Sequence, residues 1–366
     1  MPISVVTKYV RKAYTNFATH IFDAPPRMLA FLILIVFTVV PYAGVEPRRL
    51  EILTSANLMA ILAVSWDLLV GRTGLISLGH ALFYGIGAYS SAMLFKYFQW
   101  PIWVTIPISL IAGVGIALII GTPCLRMKGP YLALVTMAFP IAFIGFLYYF
   151  RDIFGGEVGI QRLPQIFPIP PFSLNNRYIA NYYLSLVLLA LSSIIIYKIA
   201  TSKTGIVFVS ILDDELGSKA CGINVTKYKL MSFAISGLFG SLAGSVYAHT
   251  MGGSATPRYF YDNTALIPVE NSIIPIIVTI LGGIGTIYGP IIGTHIYYLL
   301  NRYVFQYVIQ IDPHIQLLIF TSIVVFLVVR WPRGIARAIV EKLEDLEEPR
   351  EIEEIEKEKA KKVEKG

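Results

Sequence analysis

Apolar runs of about twenty residues recur along nearly the whole chain, separated by short polar breaks rich in charge, glycine or proline. A run of that length matches what an α-helix needs to cross the hydrocarbon core of a bilayer. The pattern predicts spans at 28–45, 50–70, 76–98, 102–124, 130–150, 179–200, 230–250, 268–283, 288–309 and 314–331. Asn301, Arg302 and Gln306 interrupt the ninth, the least regular of them. The expected fold class is therefore all-α: a polytopic integral membrane protein of about 10 transmembrane helices, some broken or glycine-rich.

The breaks divide the chain. Residues 1–27 carry Lys8, Arg11, Lys12 and Arg27 without the short apolar core of a cleaved leader, so they read as a cytoplasmic basic arm. Residues 28–337 form the transmembrane domain, with 151–178 as its longest external loop, a structured cap with two paired glycines and four prolines. Residues 201–229 are a charged cytoplasmic loop, and 338–366 a cytoplasmic tail dominated by Glu and Lys, partly helical and solvated. Ten spans place both termini in the cytoplasm of a multi-pass cell-membrane protein, and Lys and Arg are more frequent on the inner side in that orientation.

Composition agrees with this class. Of 366 residues, 55% are hydrophobic and 14% charged, too apolar for soluble domains. The net charge of +7 is uneven, about −4 in the last 26 residues and so about +11 in a membrane body whose basic residues anionic lipid holds at the cytoplasmic face, and no nucleic-acid signal accompanies it. Cys124 and Cys221 are far apart and predict neither a disulfide nor a metal site.

Two glycine clusters interrupt the predicted spans. The first runs from Gly71 through Gly74, Gly79, His80, Gly85 and Gly87 to Tyr89, and predicts either a broken helix lining a route or close helix contact. His80 is either a hydrogen-bonded structural group or a ligand for what passes. The second, Gly282–Gly283–Ile284–Gly285, predicts a tight inner turn between closely packed helices, and no strand or Gly-Lys pair makes it a nucleotide loop. Ser236, Gly240, Gly244 and Ala248 recur every four residues, a small-residue face that other helices can approach. Asp67 lies one turn before Gly71, either interfacial or used in packing or gating.

Within 201–229, Thr204 and the Asp213–Asp214–Glu215 cluster are expected to cap two short helices, Gly222 to end the second, and Thr226 to cap the next span. The order of Asp213, Asp214, Glu215, Gly222, Ile223 and Asn224 before a small-residue helix resembles the coupling loop of ABC importer permeases of the branched-chain amino acid (LivM-type) family. Gly74–Tyr89, Arg126–Phe139 with Thr136, Gly155–Pro164, Gly282–Gly293 and Trp331–Ile335 resemble further segments of that family, over roughly residues 50–335. Leu212 stands where the family usually has Arg, and Asp214 where it often has Asn, so the loop's charge differs.

The resemblance implies a transport subunit and not an enzyme. No catalytic or metal site is expected, nor a cofactor on this chain; ATP and Mg would sit on two separate ABC ATPase subunits. A second permease subunit, an extracytoplasmic substrate-binding protein and membrane lipid are the other implied partners. By the same resemblance the chain would carry branched-chain or related small amino acids. Asp213, Asp214, Glu215, Gly222 and Asn224 would couple it to the ATPases, and Gly79, His80, Gly85, Gly87, Thr136, Gly282, Gly283 and Gly285 would line or hinge the route. The alternative is an ion-driven secondary transporter of a small polar solute, for which Asp67 and Glu270 lie too near span ends.

Overall fold

The computed structural model describes residues 46–127, 129–168, 173–252, 255–256, 270–310, 312–331, 334, 335 and 338. The predicted span at 28–45, the basic arm 1–27 and nearly all of the tail from 338 lie outside these residues, as do the side chain of Glu270 and all of 257–269.

Twelve α-helices and two π-helical segments are found among the described residues. They are α1 (Pro47–Thr73), α2 (His80–Phe98), α3 (Ile102–Cys124), α4 (Pro130–Tyr149), α5 (Arg151–Phe154) and α6 (Leu174–Thr201). Then come α7 (Lys203–Asp213), α8 (Glu215–Ala220) and α9 (Val225–Tyr247), which runs into a π segment, Ala248–Gly252. Last are α10 (Glu270–Gly282), α11 (Tyr288–Tyr298) continued by a π segment over Leu299–Ile309, and α12 (Pro313–Arg330).

Punctuation residues set these boundaries. Pro47 opens α1, where its missing N–H costs nothing, and Gly74, at φ 69°, closes it by donating its N–H to Val70 O at 3.0 Å. Ser173 caps α6 by accepting from Asn176 N, so α6 takes in residues that the sequence assigned to the external loop.

Five helices, α1, α3, α4, α6 and α9, are long and apolar enough to cross a membrane. They differ in place. The apolar window of α1 is 83% buried and that of α4 only 28%, which puts α1 in the core and α4 at the rim. α9 packs most extensively on α3 and α2, and α1 on α6, α9 and α11. Around these two hub helices α3, α4 and α12 turn residues such as Ile111, Leu134 and Val329 outward, the expected face toward lipid tails.

The small-residue face of α9 makes this closeness possible. A Cβ added at Gly244 would run into the carbonyl oxygen of Tyr84, and one at Gly240 would meet Phe83 Cβ at 2.8 Å. Ser236 donates to Ser65 O at 2.7 Å, and Ala248 is fully buried at the start of the π segment. The cap after α4 is structured. Ile160 and Ala255 exchange both backbone hydrogen bonds at 2.8 Å, and the ring of His249 reaches Pro164 O, also at 2.8 Å.

Candidate functional site

Two places gather the residues singled out in the sequence. The first is the α7–α8 module. On α7, Gly205, Phe208 and Ile211 are buried, a spacing of three that pins one helix face. Leu212, one turn after Phe208 on the same side of α7 but still 43% exposed, approaches the end of α1: a Cβ on Gly74 would stand 2.9 Å from its Cδ1. Ser210 and Ser218 join the two short helices by a hydroxyl hydrogen bond of 2.8 Å. Arg72, Asp213 and Asp214 line a groove of ≈ 530 Å³ beside it.

The caps are only partly those expected. Asp214 caps α8, its Oδ1 accepting from Leu216 N at 2.9 Å. Gly222, at φ 82°, follows α8, and the bonds Gly222 N to Lys219 O and Ile223 N to Ser218 O satisfy the last carbonyls. Thr204 and Thr226 do not cap. Ser202 holds the position before α7, and Asn224 caps α9 by accepting from Lys227 N at 3.1 Å, because the helix begins earlier than the apolar run.

Glu215 is tied inward. It accepts from Lys219 Nζ at 2.8 Å and from Lys229 Nζ at 2.7 Å, and so clamps α8 to the first turn of α9. The hydrogen bonds from Lys219 and then Lys229 hold its carboxyl down to about 2. Among exposed charges such as Lys203, Asp213, Asp214 and Lys219, the module presents two large apolar side chains outward: Leu216 is 72% exposed and Ile206 66%. Sequence reasoning missed this pair. The signal was present, since apolar residues on the unburied face of a short helix outside the membrane need another partner.

The second place is a junction of backbones at the same end of α1. Gly283 and Gly285 take φ of 124° and 79°, which a side chain would resist. A Cβ on Gly71 would stand 2.7 Å from Gly285 N, and one on Gly334 would strike Gly283. At its centre Asp67, 3% exposed, accepts from Gly285 N at 2.7 Å. Asp67 is thus a packing residue. Gly282 packs on Gly289, so the predicted tight turn between close helices is what stands here.

The remaining route candidates fall elsewhere. Gly79 abuts Thr136 O, and Thr136 Oγ1 accepts from Leu78 N at 3.0 Å. His80 is fully buried with its ring edge-on to Phe83 at 5.4 Å, and neither ring nitrogen has a hydrogen-bond partner among the described residues. Among the described residues, then, no hydrogen bond accompanies the structural reading of His80. Gly85 is buried within α2, and Gly87 faces the backbone of Ser241 on α9, which is a contact role.

A family model described as "Branched-chain amino acid transport system / permease component" matches residues 48–329, from the start of α1 to the end of α12. The chain belongs to this family. Its members are membrane permease components, so a multi-pass membrane protein of ABC-transporter type, and not a catalytic subunit, is what the matched region represents. Among curated relatives, the high-affinity branched-chain amino acid permease LivM of Salmonella typhimurium is 26% identical over 270 residues, 68% of this chain and 62% of that one. The Escherichia coli LivM is 26% identical over 285 residues, 72% and 65% of the two chains. The guanosine ABC transporter permease NupQ of Bacillus subtilis is 24% identical over 193 residues, 49% of this chain and 60% of its own. The alignments thus span less than two thirds of the length of each of these relatives. No solved structure matches the chain.

Proposed function

We propose that this chain is a permease subunit of an ABC importer that carries branched-chain or related small amino acids inward. In this reading it pairs with a second permease, receives its solute from an external binding protein, and docks two ATPase subunits that hold ATP and Mg. The five apolar helices, the helices α2, α10, α11 and α12, and the predicted span 28–45 would make ten crossings, with both termini in the cytoplasm. Asp213, Asp214, Glu215, Gly222 and Asn224 would shape the coupling module; Gly79, His80, Thr136 and Gly282–Gly285 would line or hinge the route.

The observation that carries the proposal is the way α7–α8 is built. Asp214 caps α8, Leu216 and Ile206 are exposed outward, and the module meets the hub helices at two points, where Leu212 approaches Gly74 at the end of α1 and where Glu215 pairs with Lys229 on α9. An ATPase that pushes on the outer face would therefore move the two hub helices directly. Large apolar side chains exposed on short helices outside the membrane suit a partner surface that covers them.

The test is co-purification of the full chain from its native membrane with and without Leu216→Asp. A pair of ATPase chains and a second permease accompanying the wild type, with the ATPases lost from the variant, is the expected result. A wild type that purifies without ATPases refutes the reading.

A further inference from the structure

The cap over 151–168 lies against the bundle, with Ile160, Leu163 and Ile166 buried in the same apolar cluster as the helices beneath it. Over 161–165 it has no regular secondary structure, so its backbone groups must find partners elsewhere. One residue meets two of them. His249, fully buried in the π segment that ends α9, brings its ring Nδ1 to 2.8 Å from Pro164 O, and its own carbonyl oxygen accepts from Ile166 N at 3.2 Å. Short π segments of this kind are rare and recur at functional sites.

The other ring nitrogen faces the bundle. His249 Nε2 is 2.8 Å from Ser91 Oγ on α2, and Ser91 Oγ is 2.9 Å from Thr105 Oγ1 on α3, all three side chains being fully buried. A carbonyl oxygen cannot donate, so Nδ1 carries the proton toward Pro164, and in the neutral ring Nε2 accepts from the Ser91 hydroxyl. One imidazole thus joins the cap, α9, α2 and α3. α2 and α9 cross where Gly87 faces Ser241 and Gly244 faces Tyr84, and Ser91 and His249 lie about a turn beyond that crossing. At its other end α9 is fastened to α8 through Lys229 and Glu215, and Lys229 is about 30 Å along the helix from His249.

We infer that His249 is a positioning residue that latches the cap to the ends of α2, α3 and α9, so that a displacement of α9 reaches the cap. The latch is made by this chain alone. Its use in transport rests on the importer reading, in which the ATPases displace α9 from the side of Lys229; the cap is then a moving part of the cycle and not a fixed cover.

The test separates the two arms of the ring, because the side-chain amide of Asn ends where Nδ1 lies and that of Gln where Nε2 lies. The full chain is placed in nanodiscs with whatever subunits accompany it, and amide exchange is followed over 159–167, whose bonded amides include Ile160 and Ile166. His249→Gln, which keeps the Ser91 arm, and His249→Phe, which keeps only the ring shape, should speed exchange there about 5-fold to 50-fold, while His249→Asn, which keeps the Pro164 arm, and Ser91→Ala should stay within about 2-fold of the wild type. General misfolding does not produce this order, since Asn removes more of the side chain than Gln. Trapping with Mg-ATP and vanadate should then change exchange in both 201–229 and the cap of the wild type and of His249→Asn, and in 201–229 alone of His249→Gln. Equal cap exchange in all variants, or an Asn variant as open as the Gln variant, would overturn the latch. A wild-type cap that ignores trapping while 201–229 responds would overturn its coupling to α9. A wild type that carries no ATPases counts against the importer reading alone, because exchange without nucleotide still reads the latch.

Discussion

Replacing Gly87 by alanine is expected to destabilise the protein, and the sign follows from where its Cβ would go. In an open helix position the change from glycine to alanine gains about 1 kcal/mol from propensity. At Gly87 the new Cβ would stand 2.6 Å from Ser241 Cα and 2.7 Å from its carbonyl carbon, with the carbonyl oxygen nearer still. All of these are backbone atoms in the middle of α9, so no side chain can step aside. α2 and α9 would have to part by roughly 0.8 Å, and overpacking of that kind costs about 1–3 kcal/mol, with a further loss of contact along the widened seam. The net loss expected is about 1–2 kcal/mol, worth about 2–4 °C of melting temperature per kcal/mol. Gly115→Ala on α3 is the control, since its Cβ would have nothing within 4 Å and should keep the propensity gain. Thermal unfolding of both variants in one detergent, followed by fluorescence-detected size exclusion, gives the comparison. A Gly87→Ala protein that melts at or above the wild type would refute the packing argument, as would a Gly115→Ala protein that loses as much.

Three further outcomes are expected. Asp67→Ala should cost about 1–3 kcal/mol by orphaning Gly285 N, whereas Asp67→Asn, which keeps the acceptor oxygen, should melt near the wild type. Asn224→Ala should raise amide exchange over residues 224–228 by the loss of a cap worth about 1 kcal/mol, and Thr226→Ala should leave it unchanged. For Glu215 the folded carboxyl sits at about 2 against an ordinary 4.5, so its ion pairs contribute fully above about 4.5 and are lost as the pH falls through about 2. Exchange protection of α8 should thus be flat from pH 8 to 5 and fall below it, and Lys229→Met should move that fall upward; a fall already complete at pH 5 in the wild type would contradict the pairing.

Much of the helix layout was legible, because long apolar runs with charged or proline-rich ends leave few choices. The predicted 102–124 coincides with α3, and 130–150 with α4 to within a residue. Local chemistry was legible where it is short-range: Asp214 and Gly222 act at their own helix ends. It failed at Thr226, where the apolar run starts after the helix does and Asn224 takes the cap. What the sequence could not offer were partners far apart. Asp67 and Gly285 are separated by 218 positions, and nothing in the neighbourhood of Asp67 told interfacial placement from a buried bond. The same holds for Glu51, a charge at the start of the second predicted span, and Arg302, marked only as an interruption of the ninth: in the structure both line one cavity at the start of α1.

One helix reaches both this cavity and the groove of the α7–α8 module. α1 lines the cavity with Glu51 near its start, and its last turn, through Arg72, lines the groove beside α7 and α8. Its 27 residues extend about 40 Å, with no proline after Pro47 and no glycine before Gly71. Such a shaft has no place to hinge along its length and does not absorb a displacement by bending. A tilt imposed at Arg72 must arrive at Glu51, with all the compliance left to the joints at the two ends: the glycine junction around Asp67 on one side and the π segment bearing Arg302 on the other.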